Sequence, residues 1–326
     1  MTNEKVINII DFASRREKQK NTLRKAGSVS FFLGAFAICF IMFNMFPLIY
    51  GIIMAFSEFS QKSIYPQGFV GFDNFTKIFS NAVLKRDFWG AIGRTLAFAA
   101  IVVPLSIIIP LGLALLINTK VKGYKFFRAC IYLPTIFPLT ATGLILIRMF
   151  GYQYGFINNF FHIQVDWLTD KMNTWFMILL LCLWTGIGGN FLILCAGLEN
   201  VDKTLYEASN VDGCNKFSKF IHVTLPGISS QLFLCIFSTL TGYMNLYGQI
   251  YILADGNPHL GEMKTAIYVI QDMLRGSSRS LGYASAMAIL LGLIIMSIAL
   301  VQFIVSKERK GGNAHEKAFI DWKKMR

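Results

Sequence analysis

Several apolar runs in this chain exceed 18 residues, the length at which a helix crosses the hydrocarbon core of a bilayer. Lipid offers backbone N–H and C=O groups no partners, so such runs have few folds open to them. They form helices that satisfy their own backbone. Six runs are long enough to span: Val29–Phe56, Ala91–Ile117, Cys130–Phe150, Trp175–Leu198, Ile228–Leu253 and Leu281–Val305. The expected fold is therefore an all-α integral membrane protein with six transmembrane helices. Residues are 54% hydrophobic and only 15% charged, a balance that a soluble domain, which must cover its surface with polar groups, rarely shows. Proline recurs inside the spans (Pro47, Pro104, Pro110, Pro134, Pro138). Such residues are tolerated where neighbouring helices re-satisfy the freed carbonyls, which suggests a packed bundle around a cavity.

The net charge of +13 has a topological explanation, so nucleic acid is not an expected partner. Of the 31 Lys and Arg residues, 21 fall in the N-terminal tail, the 118–128 and 199–224 loops and the C-terminal tail. The 58–90, 151–174 and 255–280 loops hold 8, and Arg94 and Arg148 lie within spans. The positive-inside rule then places both termini in the cytoplasm. The chain divides into a basic tail over 1–28 without the apolar core of a signal peptide, a membrane domain over 29–305, and a C-terminal tail over 306–326. The six cysteines form no CxxC pair, which argues against a disulfide framework or a zinc site. The four histidines are scattered and read as solvated or interfacial, so no metal site is expected. Aromatics of the 58–90 loop, including the run GFVGFDNF from Gly68 to Phe75, read as an interfacial belt, with contact to an external partner as the alternative.

No phosphate loop, zinc-protease motif or nucleophile elbow is present, and no intramembrane Asp or Glu supplies a proton relay. The chain is expected to be no enzyme and to bind no cofactor. Uphill transport through it would take energy from another subunit. One polar segment between the fourth and fifth spans fits that need: EASNVDGCNKFSKFIHVTLP, from Glu207 to Pro226. Thr204 is positioned to cap a short helix with Glu207 completing a capping box. Gly213 breaks that helix, Lys216 to Val223 forms a second one with Phe217, Phe220 and Ile221 on one face, and Leu225-Pro226 redirects the chain. Such a knob suits a groove in a partner protein.

The pattern EAxxxxGxxxxxFxxxxLP resembles the EAA loop of ABC-transporter permeases. WTGIGGNFLILCAGLENVD (Trp184 to Asp202), GFVGFDNF, the run Arg128 to Pro134 and Gly282 to Ala286 are similar to the carbohydrate-uptake branch, first-permease type. The resemblance covers roughly residues 30–305. It implies a pair of permeases in a bacterial cell membrane, an ATPase under each that carries ATP and magnesium, and an external binding protein that delivers a sugar. By the same resemblance the loop over 204–226 docks in the ATPase. Glu207 would anchor it, Ala208 and Ser209 are the small residues beside it, Gly213 makes the bend, Phe217 and Phe220 pack in the cleft, and Leu225 and Pro226 close the motif.

The resemblance also carries a mid-membrane sugar site onto Cys182, Thr185, Gly186 and Gly189 of the fourth span and Thr239, Gly242, Tyr243 and Leu246 of the fifth. Asn245, with Tyr247 and Asn190, adds neutral hydrogen-bonding groups suited to sugars. Ordinary helix packing by small residues is the alternative for each position. Arg94 and Arg148 read as snorkelling or internally paired cations, or as contacts for an acidic sugar. Two other readings stay open: the same machine carrying glycerol phosphate, a peptide or a polyamine, and a membrane scaffold or receptor.

Overall fold

A computed structural model describes residues 33–59, 65–120, 122–254, 256–275 and 280–324, with side chains as far as 305. The basic tail over 1–28 and the side chains of the tail over 306–326 lie outside the described residues. The described residues are helical almost throughout. Helix α1 runs Leu33–Ala55, widening to a π-helical turn at Ile41–Met45 just before Pro47, whose missing N–H disturbs the bonding there. A two-residue antiparallel hairpin, β1 (Ser57–Glu58) and β2 (Gly68–Phe69), pairs Ser57 with Phe69 and Glu58 with Gly68. Within GFVGFDNF, Gly71 takes φ +56° and Asp73 opens α2 (Asp73–Ser80). Buried Asn74 donates to the carbonyls of Ala55 and Ser57, both at 2.9 Å. This motif therefore splits: Phe69 and Phe72 are exposed, while Asn74 clamps the C-terminal end of α1.

Helix α3 runs Ala82–Asn118, beginning nine residues before the expected Ala91. The extension follows from Asn81, whose side chain accepts from the N–H groups of Val83 and Leu84 at 3.0 and 3.2 Å and so satisfies the first free donors of the helix. The third expected span is not continuous. It consists of α4 (Tyr124–Ile136) and α5 (Leu139–Met149), bent by 99°. Proline disfavours helical backbone in the residue before it, and Phe137 is extended at φ −70°, ψ 140° directly before Pro138. A short α6 (Phe156–Phe161) precedes α7 (Lys171–Glu199), capped by Asp170.

After α7 come α8 (Lys203–Val211) and α9 (Lys216–Gly227), which meets α10 (Ser229–Met244) at 71°. The fifth expected span stops at Met244 rather than Leu253, and α11 (Gly248–Ala254) follows a break. Helices α12 (Leu260–Met263), α13 (Ala266–Arg275) and α14 (Leu281–Lys324) complete the chain. Among the described residues, four helices are long and apolar enough to cross a membrane, or up to six if each bent pair is one span. This is a multi-pass, helical membrane protein. Its last span, Leu281–Val305, has the expected limits, although its helix continues to Lys324.

Three buried clusters hold the bundle. One joins Val102 of α3 to Met177 and Leu181 of α7 and Ile250 of α11. A second joins Ile78, Phe88 and Met287. The third joins Leu111, Phe191, Leu194 and Ile228, and the polar segment after α7 sits upon it. The α3–α7 pair is the most extensive helix contact.

Candidate functional site

The segment between α7 and α10 is a knob with a seated face and a free face. Its first helix is capped by Asp202, whose carboxylate accepts from Thr204 N–H at 2.9 Å, not by Thr204 as the capping-box spacing suggested. Asp202 stands two residues nearer the end of α7, and a carboxylate there accepts from the free first-turn N–H groups. That backbone hydrogen bond from Thr204 also holds the Asp202 carboxyl below its usual range. The helix ends as expected at Gly213. Cys214 N–H reaches Ser209 O at 3.0 Å and Gly213 N–H reaches Asn210 O at 3.2 Å. These are the paired bonds of a Schellman stop, which needs the left-handed residue that Gly213 provides at φ +71°.

Asn215 caps α9 by accepting from Ser218 N–H at 2.8 Å. Helix α9 widens to a π turn over Phe220–Thr224, just before Pro226, which withholds the bond to its i−4 carbonyl. The Tyr206 and Thr224 hydroxyls meet at 2.9 Å, tying the two helices. Tyr206, Phe220, Val223 and Leu225 pack on the third core cluster, and buried Ser209 donates to Tyr206 O at 2.7 Å.

The outer face carries Glu207 and Ala208, both exposed, with Leu205 51%, Val211 89% and Phe217 74% exposed. Phe217 and Phe220, expected on one face, diverge: Phe220 turns into the chain's own core and Phe217 away from it. Pro226 is exposed at the bend. Leu205 and Val211 were missed. Their spacing with Ala208, three residues apart each way, is the signal, since positions three apart share a helix face.

The mid-membrane residues gather around an open cavity of about 400 Å³ between α7 and α10. Gly186, Gly189, Thr239, Gly242, Tyr243, Asn245 and Leu246 all line it, as does Asn190. Ile193, Ser238 and Gln249 complete the wall and were not anticipated. Cys182 and Thr185 do not line it. Cys182 is 1% exposed within the core, and Thr185 spends its hydroxyl on Leu181 O at 2.8 Å. Tyr247 stacks with Tyr251 and packs against Tyr268, away from the wall.

The glycine cluster divides by role. A Cβ on Gly188 would stand 3.1 Å from Tyr132 Cα and 2.2 Å from Thr135 Oγ1, so this glycine permits the α4–α7 crossing. A Cβ on Gly189 or Gly242 would meet nothing within 4 Å, which leaves open space over both.

Beneath this cavity lies a polar node. Pro110 has no N–H, so the Ser106 carbonyl of α3 lacks its helical partner. Asn190 supplies one: its amide donates to Ser106 O and to Thr239 Oγ1, both at 2.8 Å. Tyr243 donates its hydroxyl to Cys182 O at 3.1 Å and lies 3.2 Å from Ser106 Oγ. The Tyr243 hydroxyl is thus used to join α10 to α3 and α7. Every residue lining the cavity is uncharged. Arg94 and Arg148 are elsewhere. Arg94 Nε donates to Lys264 O at 2.9 Å, and Arg148 lines an apolar groove with Leu144, Ile145, Met149 and Phe156.

Comparison with known proteins extends these findings. An arabinooligosaccharides transport system permease protein of Bacillus subtilis is 28% identical over 86% of this chain and 88% of its own length. A sulfoquinovosyl glycerol transport system permease protein of Agrobacterium fabrum is 28% identical over 81% and 85%. A solved bacterial alginate ABC transporter, in complex with an alginate pentasaccharide-bound periplasmic protein, matches with a TM-score of 0.75 at 22% identity, over 88% of this chain and 96% of its own. The fold is therefore that of such permeases. The model of the binding-protein-dependent transport system inner membrane component matches residues 106–310, well over half of the chain and including the cavity, the node and the knob, and the chain belongs to that family.

Proposed function

We propose that this chain is the membrane-spanning permease subunit of an ATP-driven importer, and that its cargo is a sugar or oligosaccharide. The observation that carries the cargo class is the cavity between α7 and α10. Its wall offers amides (Asn190, Asn245, Gln249), hydroxyls (Ser238, Thr239) and one aromatic ring (Tyr243), with open backbone at Gly189 and Gly242 and no charge. Sugars are held by such neutral hydrogen bonders and by aromatic faces. The names of its relatives, arabinooligosaccharide and sulfoquinovosyl glycerol permeases, support the same class.

In this reading the outer face of the knob is the coupling surface. Glu207 and the apolar strip of Leu205, Ala208, Val211 and Phe217 meet an ATPase subunit in the cytoplasm. The seated face, through Tyr206, Phe220 and Leu225, passes that subunit's motion to α7 and α10, the two helices that form the cavity wall. A second permease completes the path, two ATPase subunits hold the ATP and magnesium, and an external binding protein delivers cargo. Both termini face the cytoplasm of a bacterial cell.

The test is uptake of labelled arabino-, galacto- and malto-oligosaccharides in cells with and without this chain. Uptake lost with the chain and restored by it is the expected result. Loss of glycerol phosphate or peptide uptake instead would overturn the cargo class, and no transport phenotype with an ATPase still retained would favour a scaffold.

A further inference from the structure

A second cavity, of about 650 Å³, lies between α3 and the start of α7. Its walls are Phe98 and Ile101 of α3 and Trp175, Phe176 and Leu179 of α7, and its charged rim is Arg94, Lys171 and Glu262. Its position relative to the mid-membrane cavity is regular. Trp175, Phe176 and Leu179 precede Gly189, Asn190 and Ile193 of the other wall by fourteen residues each. Fourteen residues at 3.6 per turn is close to four whole turns, so the matched residues of both cavities share one face of α7, each pair about 21 Å apart along the helix. They also adjoin. Phe98 lines the outer cavity, Tyr243 lines the inner one, and their rings meet edge to face at 6.4 Å. On its other side Phe98 packs at 5.2 Å against Trp175.

We infer that this outer cavity is a second carbohydrate subsite of the same path, with the Phe98–Tyr243 ring pair as the partition between two cargo stations. The inference rests on the sugar-importer reading above. Aromatic walls take the C–H faces of a sugar ring. The rim adds what hydroxyls need, both donors and an acceptor. Lys171 and Glu262 are ion-paired. Arg94 is fixed through its Nε by Lys264 O, and its two terminal nitrogens have no hydrogen-bond partner among the described residues. A phospholipid is the competing occupant. The carboxylate of Glu262 at the rim opposes a lipid phosphate but not a sugar, and the shared α7 face puts this cavity on the side of the cargo site.

The experiment uses the whole complex in lipid nanodiscs, with the six native cysteines replaced and one reporter at a time, Phe176→Cys outside and Gly189→Cys inside. Maleimide labelling is followed with and without a mixture of arabino-, galacto- and malto-oligosaccharides that the complex takes up. Sugar should protect both positions. In cells, Trp175→Ala should raise the half-saturating sugar concentration for uptake roughly tenfold, as loss of one stacked ring implies, and in nanodiscs the Gly189→Cys protection should still be reached at high sugar. Protection of Gly189→Cys alone would overturn the outer site while the cargo reading stands. Shielding of Phe176→Cys by lipid without sugar, lost on transfer to detergent, would assign the cavity to lipid and overturn it. If the mixture is not taken up at all, the cargo reading fails and the outer subsite fails with it.

Discussion

Pro110 removes one backbone donor from α3, and Asn190 of α7 returns one. The same amide reaches Thr239 of α10, so a single side chain joins three helices at the base of the cavity. Asn190→Leu should leave the buried Ser106 carbonyl and the half-buried Thr239 hydroxyl without that donor, at a cost of about 1–3 kcal/mol. A thermal melt of the purified complex should fall accordingly. Pro110→Ala in the same background should recover part of the loss, because alanine restores the N–H to the Ser106 carbonyl. Equal melting of the single and double variants would dismiss this account.

Tyr243 separates two roles in the same way. Its hydroxyl is bonded inside the bundle, while its ring lines the cavity. Tyr243→Phe should lower stability modestly and keep most uptake. Tyr243→Ala should reduce uptake roughly tenfold, the scale of one lost stacked ring. Transport at the normal rate in the alanine variant would place the cargo elsewhere.

At the scale of elements, the knob depends on how its helices start and stop. Gly213 holds a left-handed backbone that a β-branched residue adopts only with strain. Gly213→Val should break the Schellman stop, change the angle between α8 and α9, and uncouple ATP hydrolysis from uptake while the chain still inserts. Normal coupling in that variant would remove the knob from the transmission path. At the other end, the Asp202 carboxyl is held below its ordinary value of 3.8 by the Thr204 N–H. A carboxyl with a lowered folded-state value contributes its cap fully above the unfolded value and loses it as pH falls through the folded one. Amide protection in α8, relative to the intrinsic exchange rate at each pH, should therefore hold from neutral pH down to about 4 and fall only below it, and Asp202→Asn should abolish that acid-dependent step.

At the scale of the whole molecule, orientation decides whether the knob can meet an ATPase. In the orientation proposed above, drawn from 21 basic residues on one side against 8 on the other, Cys214 lies in the cytoplasm and Tyr154, 90% exposed, outside. An impermeant maleimide applied to intact cells should label Tyr154→Cys and spare Cys214, with the reverse in inside-out vesicles. Labelling of Cys214 from outside would invert the topology and detach the knob from any cytoplasmic partner. The exposed apolar surface of α1, none of whose best 18-residue window is buried, is consistent with a helix that lies against lipid or another subunit.

By itself the sequence determined what local chemistry can decide. Runs of apolar residues made spanning helices a necessity, and Gly213 marked a helix stop because no other residue type enters that backbone region so cheaply. Family resemblance, with Asn245 added for its chemistry, named nine candidate positions; Gly186, Gly189, Thr239, Gly242, Tyr243, Asn245 and Leu246 line one cavity, while Cys182 and Thr185 do not. Only the tertiary structure decided which competing partner each group takes. Asn81 and Asp202, rather than the first periodic apolar residue or Thr204, start their helices, since a cap is chosen by geometry among several polar neighbours. Pro138 breaks a span while Pro104 and Pro110 do not, because α7 lies beside Pro110 with an amide for the freed carbonyl. Phe217 and Phe220 part company, and the Tyr243 hydroxyl turns inward, because burial is a property of what packs against a helix and not of its own periodicity. The outer cavity has no signature in either helix alone. It exists where Arg94 of α3, Lys171 of α7 and Glu262 of α12, distant along the chain, are brought to one rim by tertiary packing.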